Sequence, residues 1–173
     1  MRTQIEINLL DFFRDAKFDC IKTGQTKEWI LNNFTEPDAF NLHSKLFMST
    51  ECNIWTYGSI EFHFNQEGEL FLIYSEYLDE FDIGEDLKLE KWILNDYSAL
   101  TLSYTLIELN KQNINYCKSD DSFEGVKLKL ESGVELSFTN GSDEKIEDPN
   151  ELHLNNFSLM DSVINSVNKK GNG

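Results

Sequence analysis

The sequence predicts an α+β domain, a mainly antiparallel sheet of two meanders with helices packed on it. Three observations predict it. Apolar and polar residues alternate at Ile60, Phe62 and Phe64, then again from Val126 to Leu130 and from Val134 to Phe138. That period of two is the mark of a half-buried strand. Apolar residues at helical spacing precede each group of strands, and Gly58, Gly68 and Gly133 stand where turns must join them.

Taken in order, Thr3 and Glu6 read as a capping box, and Ile5, Leu9, Phe12 and Phe13 give the following helix one apolar face. Gly24 breaks the chain before a second helix from Thr26 to Phe34, with Trp29, Ile30 and Phe34 as its buried side. Pro37 ends that element and biases Glu36 toward extended backbone. Residues 53–57, 60–64 and 70–74 then form an antiparallel meander. The stretch 76–86 reads as an acidic loop, and Leu87, Leu89 and Trp92 suggest one more strand.

Asp96 is expected to cap a helix ending near Lys111, with Leu100, Tyr104 and Ile107 toward the sheet. A short strand over 114–117 and a hairpin over 126–138, turning at Ser132-Gly133, follow. Residues 141–151 read as loop. A final amphipathic helix over 156–167 would dock through Phe157, Met160, Val163, Ile164 and Val167. The whole reads as one domain, 1–168, with candidate halves 1–95 and 96–168 and a flexible tail 169–173. The hairpin from Gly58 to Leu72 matches Gly125 to Leu136 in pattern, which suggests a tandem helix-plus-hairpin repeat; convergent hairpin grammar explains the match equally well.

Composition bounds the function. With 173 residues, 13 Phe and 3 Trp, the chain can close a single core. Acidic residues outnumber basic ones 31 to 15, for a net charge of -16. Arg2 and Arg14 are the two arginines, so direct nucleic-acid binding and attraction to an anionic membrane are disfavoured. A basic protein partner fits the charge, and so does acidity kept for solubility. No run reaches the ~18 apolar residues of a membrane span. Glu6 falls where a secretory leader would be apolar, so a cytoplasmic location is expected. Cys20, Cys52 and Cys117, odd in number and widely spaced, read as reduced thiols.

Chemistry is sparse. The sequence contains no G-x-S-x-G, H-E-x-x-H, phosphate-loop or C-x-x-C pattern. His43, His63 and His153 lie in different elements, and neither metal nor cofactor is expected. A calcium loop starting at Asp79 fails because Phe81 and Ile83 stand where oxygen ligands are needed. Glu61 and His63 share a strand face and could exchange a proton, though alternation puts polar residues on any solvated face. The expectation is therefore a protein that is not an enzyme.

The surface singled out for a partner is Glu76, Tyr77, Asp79, Glu80, Asp82, Glu85 and Asp86, a stretch without Lys or Arg. Carboxylates there would steer a basic partner, and Tyr77 and Phe81 would be either anchors or core residues. A second acidic group comprises Asp143, Glu144, Glu147, Asp148 and Glu151.

The run Ile54-Trp55-Thr56-Tyr57-Gly58-Ser59-Ile60-Glu61-Phe62-His63-Phe64, within a compact acidic α+β plan, resembles small bacterial toxin-neutralising immunity proteins. The helix-plus-meander layout is similar to that of the β-lactamase inhibitory protein. The resemblance implies a cytosolic protein that binds a cognate basic toxin domain, often a nuclease, and blocks its active site or substrate entry. It carries over no functional residue. Two other readings stay open: a general intracellular interaction module, and a hydrolase using dispersed carboxylates.

Overall fold

The computed structural model describes residues 5–44, 52–121, 125–140 and 148–161, excepting the side chains of residues 40–44, 52 and 53. The chain opens with strand β1 (Ile5–Asn8), helices α1 (Leu9–Asp15) and α2 (Lys27–Asn33), and strands β2 (Ala39–Ser44), β3 (Cys52–Tyr57), β4 (Ile60–Phe64) and β5 (Leu70–Ser75). After the acidic loop come β6 (Leu87–Glu90), 3-10 turns at Trp92–Asn95 and Tyr97–Ala99, and helix α3 (Leu102–Lys111). Strands β7 (Tyr116–Asp120), β8 (Val126–Leu130), β9 (Glu135–Thr139) and β10 (His153–Met160) follow, with a 3-10 turn Pro149–Glu151 before the last.

Eight strands form one antiparallel sheet in the order β2-β3-β4-β5-β10-β9-β8-β7. Each four-stranded meander thus turns its last strand to the other, and the two meet at the β5–β10 seam, where Ser75 pairs with Phe157 and Ile73 with Leu159. A separate parallel pair, β1 with β6, joins Ile5 to Leu87 and Asn8 to Glu90. A similar element order therefore occurs twice: a strand, helical segments (two in the first set, three in the second), a four-stranded meander. The second set restarts at Leu87, so the 95/96 division read from sequence falls inside it. In this order the β8–β9 hairpin corresponds to β3–β4, whereas the sequence pattern aligned it with β4–β5.

Three expectations need correction. The first helix does not start at the Thr3–Glu6 box. Ile5 and Ile7 alternate with Glu6 and Asn8 as strand β1, and the Asn8 side chain accepts from the Leu10 and Asp11 N–H groups to begin α1. Asp96 caps only the 3-10 turn; Thr101, accepting from the Tyr104 N–H, caps α3, so Leu100 is buried ahead of the helix and Ile107 faces outward. The final helix is strand β10 over its described part. A register shift between Leu154 and Asn156 sets core residues Leu154 and Phe157 three apart, a helical spacing produced by a bulge. Its remaining residues, 162–167, lie outside the described ones.

Smaller shifts are local. The segment read as strand from Ile114 begins at Tyr116. Trp92 leaves β6 at φ 46 and opens a 3-10 turn instead of extending the strand. Trp29 is exposed, while Ile30 and Phe34 hold α2 down as expected.

A single apolar cluster takes in both helices of the first half, α3, the β1–β6 pair and one face of the sheet. Phe157 is central to it, with ring centroids 5.3 Å from Phe13 and 5.8 Å from Phe12 and Phe81. Each fully buried side chain of this size contributes about 1.5–3 kcal/mol. The residues of the opposite sheet face lie outside that cluster.

Candidate functional site

The loop 76–86 is fixed before it is charged. Leu78, Phe81 and Ile83 are buried, so three apolar pegs set its path across the end of the core. Phe81 is therefore a core residue and not an interface anchor. Hydrogen bonds add to the pegs: the Ser59 N–H donates to the Asp82 carbonyl at 3.0 Å, and the Gly84 N–H donates to Asp82 Oδ1 at 3.0 Å. Gly58 and Gly84, at φ 53 and 82, let the β3–β4 turn and the loop pack this closely.

Between the pegs the polar residues point out. Glu76, Tyr77, Asp79, Glu80, Asp82, Glu85 and Asp86 are all exposed, with Tyr77 at 61%. They differ in what they already do. Glu76 accepts the Tyr74 hydroxyl at 2.9 Å, and Asp82 is engaged by Gly84. No described cation forms a salt bridge with Asp79, Glu80, Glu85 or Asp86. Unneutralised carboxylates on a fixed loop make a local negative potential that salt will screen. Of the second acidic group, Asp143, Glu144 and Glu147 lie outside the described residues. Asp148 and Glu151 are exposed, and Asp148 caps the 3-10 turn through the Asn150 N–H.

Glu61 and His63 come closer than a merely solvated pair would. Glu61 Oε2 and His63 Nε2 are 2.7 Å apart, with side chains 25% and 8% exposed. The His63 ring is flanked edge-on by Phe71 and Tyr74, at 6.3 and 6.2 Å. Tyr74 stands directly across from Glu61 in the register. Burial pushes the Tyr74 phenol up, and the Glu76 hydrogen bond with the Glu76 and Glu61 charges pushes it further. His63, Glu61, Tyr74 and Glu76 thus form a polar strip that runs from the sheet into the acidic loop. Sequence alternation put Glu61 and His63 on one face; Tyr74 was missed because its link is cross-strand.

A polar cleft of about 320 Å³ lies elsewhere, lined by Arg14, Asp15, Asn113, Ile114, Asn115, Glu131 and Ser132. It contains none of the residues singled out in the sequence. Among the described residues, no group of His, Cys, Asp and Glu is arranged to hold a metal ion, and no helix is long and apolar enough to cross a membrane. His153 lies on β10 beside Tyr97, 6.4 Å between rings, with β5 between its strand and the strand of His63, and the His43 side chain lies outside the described set. Of the thiols, Cys20 is half-buried and pushed up by burial and Asp19, and Cys117 is exposed.

No protein-family model, curated protein or solved structure matches this chain.

Proposed function

We propose that this chain is an immunity protein that binds a cognate basic toxin domain through the 76–86 loop and blocks it by occupying its surface. The observation that supports this reading is the division of labour within the loop. Leu78, Phe81 and Ile83 hold the backbone, while Asp79, Glu80, Glu85 and Asp86 stand exposed without an ion pair among the described residues. A surface fixed before binding loses little entropy on association, and clustered charge speeds encounter with a cationic partner. The loop 76–86 contains no Ser, Thr, Cys, Lys or His. The Glu61–His63 pair lies away from the polar cleft, so inhibition by occupancy suits the arrangement better than turnover.

Expression together with the product of the neighbouring upstream gene tests the reading. The expected outcome is a one-to-one complex, rescue of growth in cells making that product, and an association rate that falls steeply with salt. The quadruple substitution D79N/E80Q/E85Q/D86N is expected to slow association by about tenfold or more at low ionic strength. Absence of both complex and protection would overturn it.

A further inference from the structure

The eight-stranded sheet ends at β7, whose one neighbour among the described strands is β8. Two printed bonds fix the phase of that ladder: the Asp121 N–H donates to the Gly125 carbonyl at 2.9 Å, and the Glu131 N–H to the Asn115 carbonyl at 3.0 Å. Hydrogen-bonded and non-hydrogen-bonded positions alternate along an antiparallel pair. Cys117 and Ser119 therefore turn their backbone groups toward β8, and Lys118 and Asp120 turn theirs away from it. Cys117, Lys118, Ser119 and Asp120 are all exposed. An edge with outward donors and acceptors is the arrangement that takes up a further strand.

Charge selects that strand. A lone lysine on an edge discourages pairing, but Asp120 stands two residues beyond Lys118 on the same side of the strand. Neither forms a salt bridge among the described residues. Strands β7 to β9 bear Lys118, Lys127 and Lys129 against Asp120 and Glu135, so this end is close to neutral in a chain of net charge -16. Two copies repel each other least when they meet here.

Symmetry then selects the register. Paired residues must lie on one face, so a two-fold axis normal to the sheet passes through a residue and not between two. An axis at Lys118 sets lysine against lysine, and one at Cys117 sets Lys118 against Tyr116. An axis at Ser119 sets Lys118 of each copy against Asp120 of the other, on both sides, with the backbone groups of both already pointing across.

We infer that β7 is a homodimer interface, pairing antiparallel with β7 of a second copy about Ser119 and joining two eight-stranded sheets edge to edge. The inference does not rest on the loop reading of function. Strands β8, β9 and β10 lie between β7 and β5, which leads into the 76–86 loop, so the pairing covers neither copy of that loop.

Sedimentation of the full chain over a range of concentration, in salt that screens its net charge, tests it. A monomer passing to a dimer is expected. Lys118→Glu and Asp120→Lys each set like charges opposite one another, and each is expected to weaken the dimer by about tenfold. K118E/D120K restores both pairs in the reversed sense and is expected to recover it. The axis residue faces itself at non-hydrogen-bonded spacing, so C117S/S119C is expected to link two copies through residue 119 under mild oxidation, as peptide mapping reads. Circular dichroism shows that each variant is folded, and C117S/S119C carries the test should a charge reversal unfold the chain. A chain that stays monomeric throughout overturns the inference. A dimer indifferent to both single reversals, or one that the native chain links through Cys117, overturns it as well.

Discussion

Ser59 and Asp82 hold each other by two hydrogen bonds: the Ser59 N–H donates to the Asp82 carbonyl at 3.0 Å, and the Asp82 N–H donates to Ser59 Oγ at 3.2 Å. A two-residue hairpin turn is thereby fastened to a loop 23 residues further on. The turn between β3 and β4 and the acidic surface form one unit, so damage to either reaches the other.

Gly58 is the tightest point of that unit. Its φ is 53, and an added Cβ would meet Asp82 Oδ1 and the Gly84 N–H. Gly58→Ala is expected to destabilise the fold by about 2 kcal/mol or more, from backbone strain and displacement of Asp82 together. Urea unfolding measures the loss, and a variant as stable as the native chain would show that the loop is free to move.

Neutralising the outward carboxylates has the opposite signature. Because Asp79, Glu80, Glu85 and Asp86 have no salt-bridge partner among the described residues, D79N/E80Q/E85Q/D86N is expected to leave the unfolding midpoint unchanged or slightly raised. A clear fall in midpoint would mean that these charges serve the fold and not the surface.

Phe157 couples the seam to the loop through its contact with Phe81. Phe157→Ala is expected to cost about 3–5 kcal/mol, as for other large buried aromatics. Hydrogen exchange should also quicken across 76–86 before the sheet itself opens, because Phe81 loses the ring it leans on. Uniform exchange in the variant would contradict that order.

Alkaline titration reads Tyr57 and Tyr74. Burial, with Asp38 nearby, raises the Tyr57 phenol, whose hydroxyl donates to the Thr35 carbonyl at 3.1 Å; burial and Glu76 raise that of Tyr74. Both groups hold their protons more tightly folded than unfolded. Their contribution is therefore complete below the ordinary tyrosine value of about 10 and declines as pH rises above it. Ultraviolet tyrosinate absorbance is expected to rise in two stages, exposed phenols first, with Tyr57 and Tyr74 delayed. A single stage near the ordinary value would show that neither is enclosed.

Where side-chain periodicity and turn chemistry agreed, the sequence was readable. Ile60, Phe62 and Phe64 alternate without interruption into Gly-containing turns, and β3 to β5 stand where that pattern puts them. Thr26 likewise caps α2 through the Trp29 N–H. The pattern misled where partners are remote. Ile5–Asn8 is a strand because Leu87–Glu90 pairs with it, 82 residues away, and four residues cannot show that choice locally. At β10 the bulge after Leu154 turned a strand into apparent helix. The acidic loop was legible as a charge run, and its exposure followed. Its anchoring was not, since Phe81 could as well have faced a partner until the position of Phe157 was known.

The β5–β10 seam has a consequence for the chain as it is made. After β5 leaves the ribosome, roughly 85 further residues must be synthesised before β10 is complete, several seconds at about 10 residues per second. Throughout that interval β5 is an open edge bearing Leu70, Phe71, Leu72 and Ile73, the kind of segment that recruits neighbouring chains. The next eleven residues to emerge, 76–86, carry six carboxylates and no Lys or Arg. Charge placed immediately behind a sticky strand repels a second nascent copy, so these carboxylates guard the unfinished sheet before the finished one has any use for them.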